Sequence, residues 1–191
     1  MRRMLIVLGV LTSMFGCQQN QSWTADRLTM TTFDTFNDQR DEGWRKPAAE
    51  GNYNAAAELI SRYMDANQPI LEAWQVATLQ FHQGQMLACA DKYRLALQVL
   101  AEARTANLPD TGPAVLGLYV NATIAFIKGD RPGLDKARAG IDSAQRSPAN
   151  EILRKKVAVL SDRFNASYMN AWIDASKVVV PVEGEIEEDM P

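Results

Sequence analysis

The chain has 191 residues, 47% of them hydrophobic and 23% charged, with a formal net charge of −3. That length supports one compact domain with a core of its own. The acidic balance excludes the broadly basic face that displaces counterions from phosphates, so nucleic acid is not an expected partner.

The first element is the N-terminal stretch MRRMLIVLGVLTSMFGC, in which Arg2 and Arg3 precede an apolar run. This is the order of a secretory signal peptide. Met4 to Gly16 spans 13 residues, short of the roughly 20 that a membrane-spanning helix needs. Gly16-Cys17, followed by Gln18 and Gln19, resembles the lipobox of bacterial lipoproteins, with Met14 and Phe15 standing where that family prefers Leu and a small residue. The resemblance implies diacylglycerol on the Cys17 sulfur and cleavage before it. With Gln18 rather than aspartate next, it also implies a lipid anchor on the periplasmic face of the outer membrane. Residues 1–16 are then a signal peptide and 17–32 a polar tether. The alternative is a buried cysteine in a retained signal anchor.

From residue 33 to residue 176 the apolar residues recur at helical spacing, which predicts an all-α domain. Asp34, Asp38 and Asp41 or Glu42 form an acidic stripe on a first helix. Ile70 to Phe81 and Met86 to Ala103 read as two amphipathic helices, and residues 114–128 as a helix apolar nearly all round, packed between neighbours. Helix starts at Gly51, Gly84, Gly129 and Asp162 are separated by 33, 45 and 33 residues. The longer interval is explained by an insertion around TANLPDTGP. Near-equal intervals of this size describe helical hairpins that bury their apolar faces by stacking. The end of the chain, residues 177–191, carries five carboxylates between Glu183 and Asp189 and reads as an acidic disordered tail. A short edge strand over Lys177 to Val182 is the alternative for its first part.

GNYNAAAELISRYM, with Gly51, Tyr53 and Ala56, and EAWQVATLQFHQGQMLACADKYRLAL, with Trp74, Phe81, Gly84, Cys89, Tyr93 and Ala96, resemble tetratricopeptide repeats. The match is good over residues 48–104 and poor elsewhere, where Pro132, Gly133 and Arg138 depart from the pattern. The resemblance implies antiparallel hairpins stacked as a short right-handed solenoid. It also implies a partner peptide lying along the first helix of each hairpin. Projected onto the second hairpin, that row holds Glu72, Gln75, Leu79, His82 and Gln83, while the third places apolar Val120, Ile124 and Ile127 there, which suits an apolar partner helix or plain core. HQGQMLACA, YVNATIAFIKGD and FNASYMNAW also resemble an uncharacterised bacterial family of helical proteins.

Chemistry is sparse. His82 is the single histidine, and it reads as a helix-terminal residue rather than a general base. With Cys17 lipidated, Cys89 is left without a disulfide partner and reads as a small buried thiol. No metal set, phosphate loop or nucleophile elbow is present in the sequence, so neither a metal nor a cofactor is expected. Residues 131–163 carry eight basic against four acidic side chains, read as solvated helix faces or as a surface for an anionic partner, lipid headgroups or the protein's own acidic tail. The sequence therefore points to a non-catalytic interaction or scaffold lipoprotein that meets another envelope protein. A periplasmic immunity or inhibitor protein is the alternative. A cell-wall or lipid-acting enzyme using Asp34 or Asp38 comes behind both.

Overall fold

A computed structural model describes residues 23–105 and 115–178 of the chain. These are all-α: α1 (Ala25–Met30), α2 (Phe33–Asp38), α3 (Arg45–Ala49), α4 (Tyr53–Asn67), α5 (Ala73–Cys89), α6 (Tyr93–Thr105), α7 (Leu116–Lys128), α8 (Arg131–Ser143), α9 (Pro148–Asp162) and α10 (Tyr168–Ser176). The signal peptide, Cys17, most of the insertion and the acidic tail lie outside the described residues. Lys177, the first residue of the alternative edge strand, is in a turn.

Consecutive helices pair as α3/α4, α5/α6, α7/α8 and α9/α10, four hairpins packed in chain order. Their second helices begin at Tyr53, Tyr93, Arg131 and Tyr168, which are 40, 38 and 37 residues apart. This corrects the sequence-based spacing of 33, 45 and 33. Gly84 is not a helix start: it lies inside α5, where a Cβ would stand 2.5 Å from Leu100 Cγ. It lets α5 and α6 approach closely. The expected helix over Met86 to Ala103 is instead two helices, broken at Asp91, whose φ of 59° falls in the left-handed region. Aspartate is among the few residues tolerated there, and the bend turns the chain back on itself. Asp162 ends α9 rather than starting a helix, and the last helix begins after Ser167 accepts from Asn170 N at 3.3 Å.

Other starts follow the sequence. Asn52 Oδ1 caps α4 by accepting from Ala55 N, and Asp130 caps α8 by accepting from Gly133 N at 2.9 Å. Pro132, a departure from the repeat pattern, stands in the first turn of α8, where a missing N–H costs nothing.

Residues 23–32, expected in the tether, are folded. Leu28 on α1 is buried, Tyr63 Oη donates to Thr31 O at 2.9 Å, and Asn67 Nδ2 donates to Leu28 O at 3.1 Å. The acidic stripe does not form one helix face, because α2 ends at Asp38. Glu42 lies beyond it and pairs with Arg27 at 2.8 Å. At the far end, α10 packs back against α5, so the last hairpin touches the second as well as its neighbour.

Candidate functional site

The first helices of all four hairpins, α3, α5, α7 and α9, meet around a cavity of about 200 Å³, and α10 closes its side. The helix α3 supplies Arg45, with Trp44 just before it. From α5 come Thr78, Phe81, His82 and Gln85, which succeed one another by three, one and three residues and so share one helix face. Leu116 and Tyr119 enter from α7, Leu153 and Lys156 from α9, and Trp172 from α10.

At the floor, Gln85 is buried and links three rings. Its Nε2 donates to Tyr168 Oη at 3.3 Å and, more weakly, to Tyr119 Oη at 3.5 Å, while its Oε1 lies 3.2 Å from His82 Nδ1. That arrangement suits a neutral imidazole donating from Nδ1. The His82 ring stacks on Trp44 with centroids 4.7 Å apart. Burial, then the cations of Arg45 and Lys156, push the His82 pKa down from 6.5 to about 3, against the hydrogen bond to Gln85. Burial also raises Tyr119 to about 12 and Tyr168 well above its usual value.

The walls carry two cations. Arg45 donates from Nε to the carbonyl of Asn37 and lays its guanidinium over the Trp44 ring, 4.6 Å from the centroid. Asp38, the carboxylate whose field reaches Arg45, accepts from Asn37 Nδ2 at 2.7 Å and forms no ion pair with Arg45. Burial, followed by the field of Arg45, lowers the Lys156 pKa. Among the described residues, no carboxylate lines the cavity.

Of the row expected from sequence, only His82 reaches this cavity. Leu79 is fully buried in the core. Glu72 and Gln75 start α5, where Gln75 Oε1 accepts from Glu72 N at 2.9 Å, and Gln83 Nε2 donates to Ala57 O at 3.4 Å. On α7, Val120 is buried, and Ile124 and Ile127 pack against the core. Thr78, Phe81 and Gln85 are the α5 residues missed. The acidic Asp34 and Asp38 are exposed and stand outside the cavity lining. Cys89 is buried, and burial pushes its thiol up to about 12, the setting of an unreactive core cysteine. No group of three or more metal-ligating side chains occurs among the described residues, and none of their helices is long and apolar enough to cross a membrane.

Compared with known protein families, curated proteins and solved structures, the chain matches none.

The depressed His82 pKa gives a stability prediction. Above pH 6.5 the imidazole is neutral folded or unfolded and contributes no pH dependence. Below it the unfolded chain takes up a proton that the folded chain refuses until about pH 3. Stability is therefore expected to fall with acid by up to about 1.4 kcal/mol per pH unit across that window, less whatever water in the cavity relieves. The titratable groups facing His82 are Arg45, Lys156 and the two tyrosines, all of which a change at His82 leaves in place. Urea unfolding at pH 7 and pH 5 on the native chain and on His82→Asn isolates the effect, with a flatter profile expected for the variant. Equal slopes would show that the imidazole protonates freely in the fold.

Proposed function

We propose that this protein is a non-catalytic binding protein of the bacterial envelope, anchored by lipid on Cys17, whose hairpins hold another envelope protein. Its architecture is a compact variant of the tetratricopeptide-like solenoid, shortened by the return of α10 onto α5. The observation that carries the reading is the cavity itself. Every hairpin's first helix contributes to it, and its lining includes Trp44, Arg45, Tyr119 and Trp172. Tryptophan, tyrosine and arginine are the side chains that most often anchor a partner, because they combine large apolar area with a polar handle. The neutral His82 and the unreactive Cys89 favour recognition over turnover, since neither is set up for proton transfer or nucleophilic attack. The envelope address is supported by the charged start, the short apolar run and Gly16-Cys17.

The test is photo-crosslinking in the native cell from a photoreactive residue at Ser176, on the cavity rim, with Asp135 on α8 as the outer-face control. One discrete protein adduct from position 176 and none from 135 is the expected result. The intact mass should show a chain beginning at Cys17 with added acyl groups, lost in Cys17→Ala. Adducts equally abundant from both positions would remove the cavity face as the recognition surface. An unmodified, uncleaved chain would remove the envelope address.

A further inference from the structure

The cations of this protein sort by burial. Among the described residues, five are half-buried: Arg27, Arg45, Arg138, Arg154 and Lys156. Three of them have carboxylate partners: Arg27 pairs with Glu42, Arg138 with Asp142, and Arg154 with Asp142 and Glu151. The other two, Arg45 and Lys156, have none among the described residues, and both line the same cavity.

Two like charges drawn partly out of water, with the Asp38 carboxylate acting on Arg45 only at a distance and no carboxylate among the described residues acting on Lys156, are unfavourable, so a fold that keeps them has placed them for something that arrives later. Arg45 is also held ready. The hydrogen bond from Nε and the stacking on Trp44 fix the guanidinium plane, and neither Nη has a partner among the described residues. A fixed guanidinium with free ends matches the two oxygens of a carboxylate. Around these charges Trp44, Phe81, Leu116, Leu153 and Trp172 give the cavity its apolar side, beside polar Thr78, His82, Gln85 and Tyr119. The space of about 200 Å³ exceeds the roughly 150 Å³ that accommodates a benzene ring in an engineered protein cavity.

We propose that the cavity is a binding site for a carboxylate carried on a ring-sized apolar body, with Arg45 and Lys156 taking the carboxylate and the aromatic walls taking the ring. This deepens the reading of the cavity as the recognition site and names what enters it. The same chemistry is offered by a free aromatic acid and by the C-terminal carboxylate of a partner chain that ends in an aromatic residue.

The probe is 3-phenylpropionate, titrated into the full-length chain in mild detergent and followed by calorimetry and tryptophan fluorescence. Its uncharged analogue, 3-phenylpropanamide, is the control. The acid is expected to bind at least tenfold more tightly than the amide, and Lys156→Met or Arg45→Gln to weaken the acid at least tenfold while leaving the amide unchanged. A second readout separates this role from a structural one. Without ligand, Lys156→Met should raise the unfolding midpoint by removing an uncompensated charge, whereas loss of a structural contact would lower it. Acid and amide binding alike, no saturable binding of the acid, or a lowered midpoint in Lys156→Met would each overturn the proposal.

A tetrapeptide ending in a free phenylalanine carboxylate, compared with its amidated form, identifies the source. Tighter binding of the free-acid peptide than of 3-phenylpropionate assigns the site to a partner's terminus, and exclusion of the peptide with retention of the small acid assigns it to a free metabolite-sized ligand. Either result supports the shared chemistry. If the acid fails to bind while Ser176 still crosslinks to one protein, the carboxylate proposal falls and the recognition reading stands. The reverse outcome overturns the partner-protein reading alone.

Discussion

Phe36→Ala is expected to lower stability by about 4 kcal/mol, the usual cost of emptying a buried aromatic site. Phe36 is fully buried, with its ring stacked on Tyr63 at a centroid separation of 3.8 Å and an angle of 7°, and with Trp23 edge-on at 5.7 Å. It fastens a segment that has little to hold it otherwise. The helices α1, α2 and α3 are six, six and five residues long, far below the roughly 12 to 15 at which an isolated helix becomes even marginally stable. Their order depends on docking against α4, through Phe36, Leu28 and the hydrogen bonds to Thr31 O and Leu28 O. Since Trp44 and Arg45 sit at the start of α3, the variant should also lose one wall of the cavity. Urea unfolding measures the first effect, and amide exchange over residues 25–49 the second. A loss below about 1 kcal/mol with unchanged exchange would show that these three helices are not held by this stacking.

Much of the helical content was readable because apolar residues recur at three and four, and capping residues mark several starts. Asn52, Asp130 and Ser147 each accept from a backbone N–H in the first turn, as their residue types suggest. The break at Asp91 was hidden for a physical reason. The helices on either side both bury an apolar face, so the period runs through the turn without a proline or glycine to interrupt it. Missing that turn misplaced the repeat. Three of the four described residues with left-handed φ, Gly51, Asp91 and Gly129, stand just before second helices, and they lie 40 and 38 residues apart, the spacing that the structure uses.

The cavity was harder to read, because its walls come from residues as distant as Trp44, Tyr119 and Trp172, which only tertiary packing brings together. One signal was present. On α9 the inward positions Leu153, Val157 and Leu160 form an apolar stripe, and Lys156 lies on its edge. A lysine there is a misfit that burial makes costly. The basic excess over residues 131–163 pointed to the region without separating Lys156 from its neighbours. Arg131, Arg138 and Arg154 are neutralised by Asp135, Asp142 and Glu151, so the sum of charge overstated the surface potential and concealed Lys156, the half-buried cation there that has no carboxylate partner among the described residues.

The turn that delivers Trp44 and Arg45 to the cavity depends on Gly43, and Gly43→Ala is expected to cost about 3 kcal/mol or more, through backbone strain and a clash that cannot be relieved locally. Gly43 has φ of 50°, and a Cβ would lie 2.0 Å from Phe36 O and 2.8 Å from Phe36 C. Those are backbone atoms of α2, and Phe36 is itself wedged between Tyr63 and Trp23. No rotamer change can make room. Either α2 shifts and loosens the Phe36 stack, or the turn opens and withdraws Trp44 from His82. Gly51 separates the two contributions, because it too has positive φ, at 77°, yet a Cβ there meets nothing within 4 Å. Gly51→Ala should therefore show the strain alone, on the order of 1 kcal/mol. Comparing the two variants by urea unfolding gives the clash as their difference. In Gly43→Ala alone the tryptophan emission of the folded state should also shift, as Trp44 leaves its stacked position. Equal losses in the two variants would mean that the chain passes Phe36 with room to spare, and that Arg45 is not positioned by this turn.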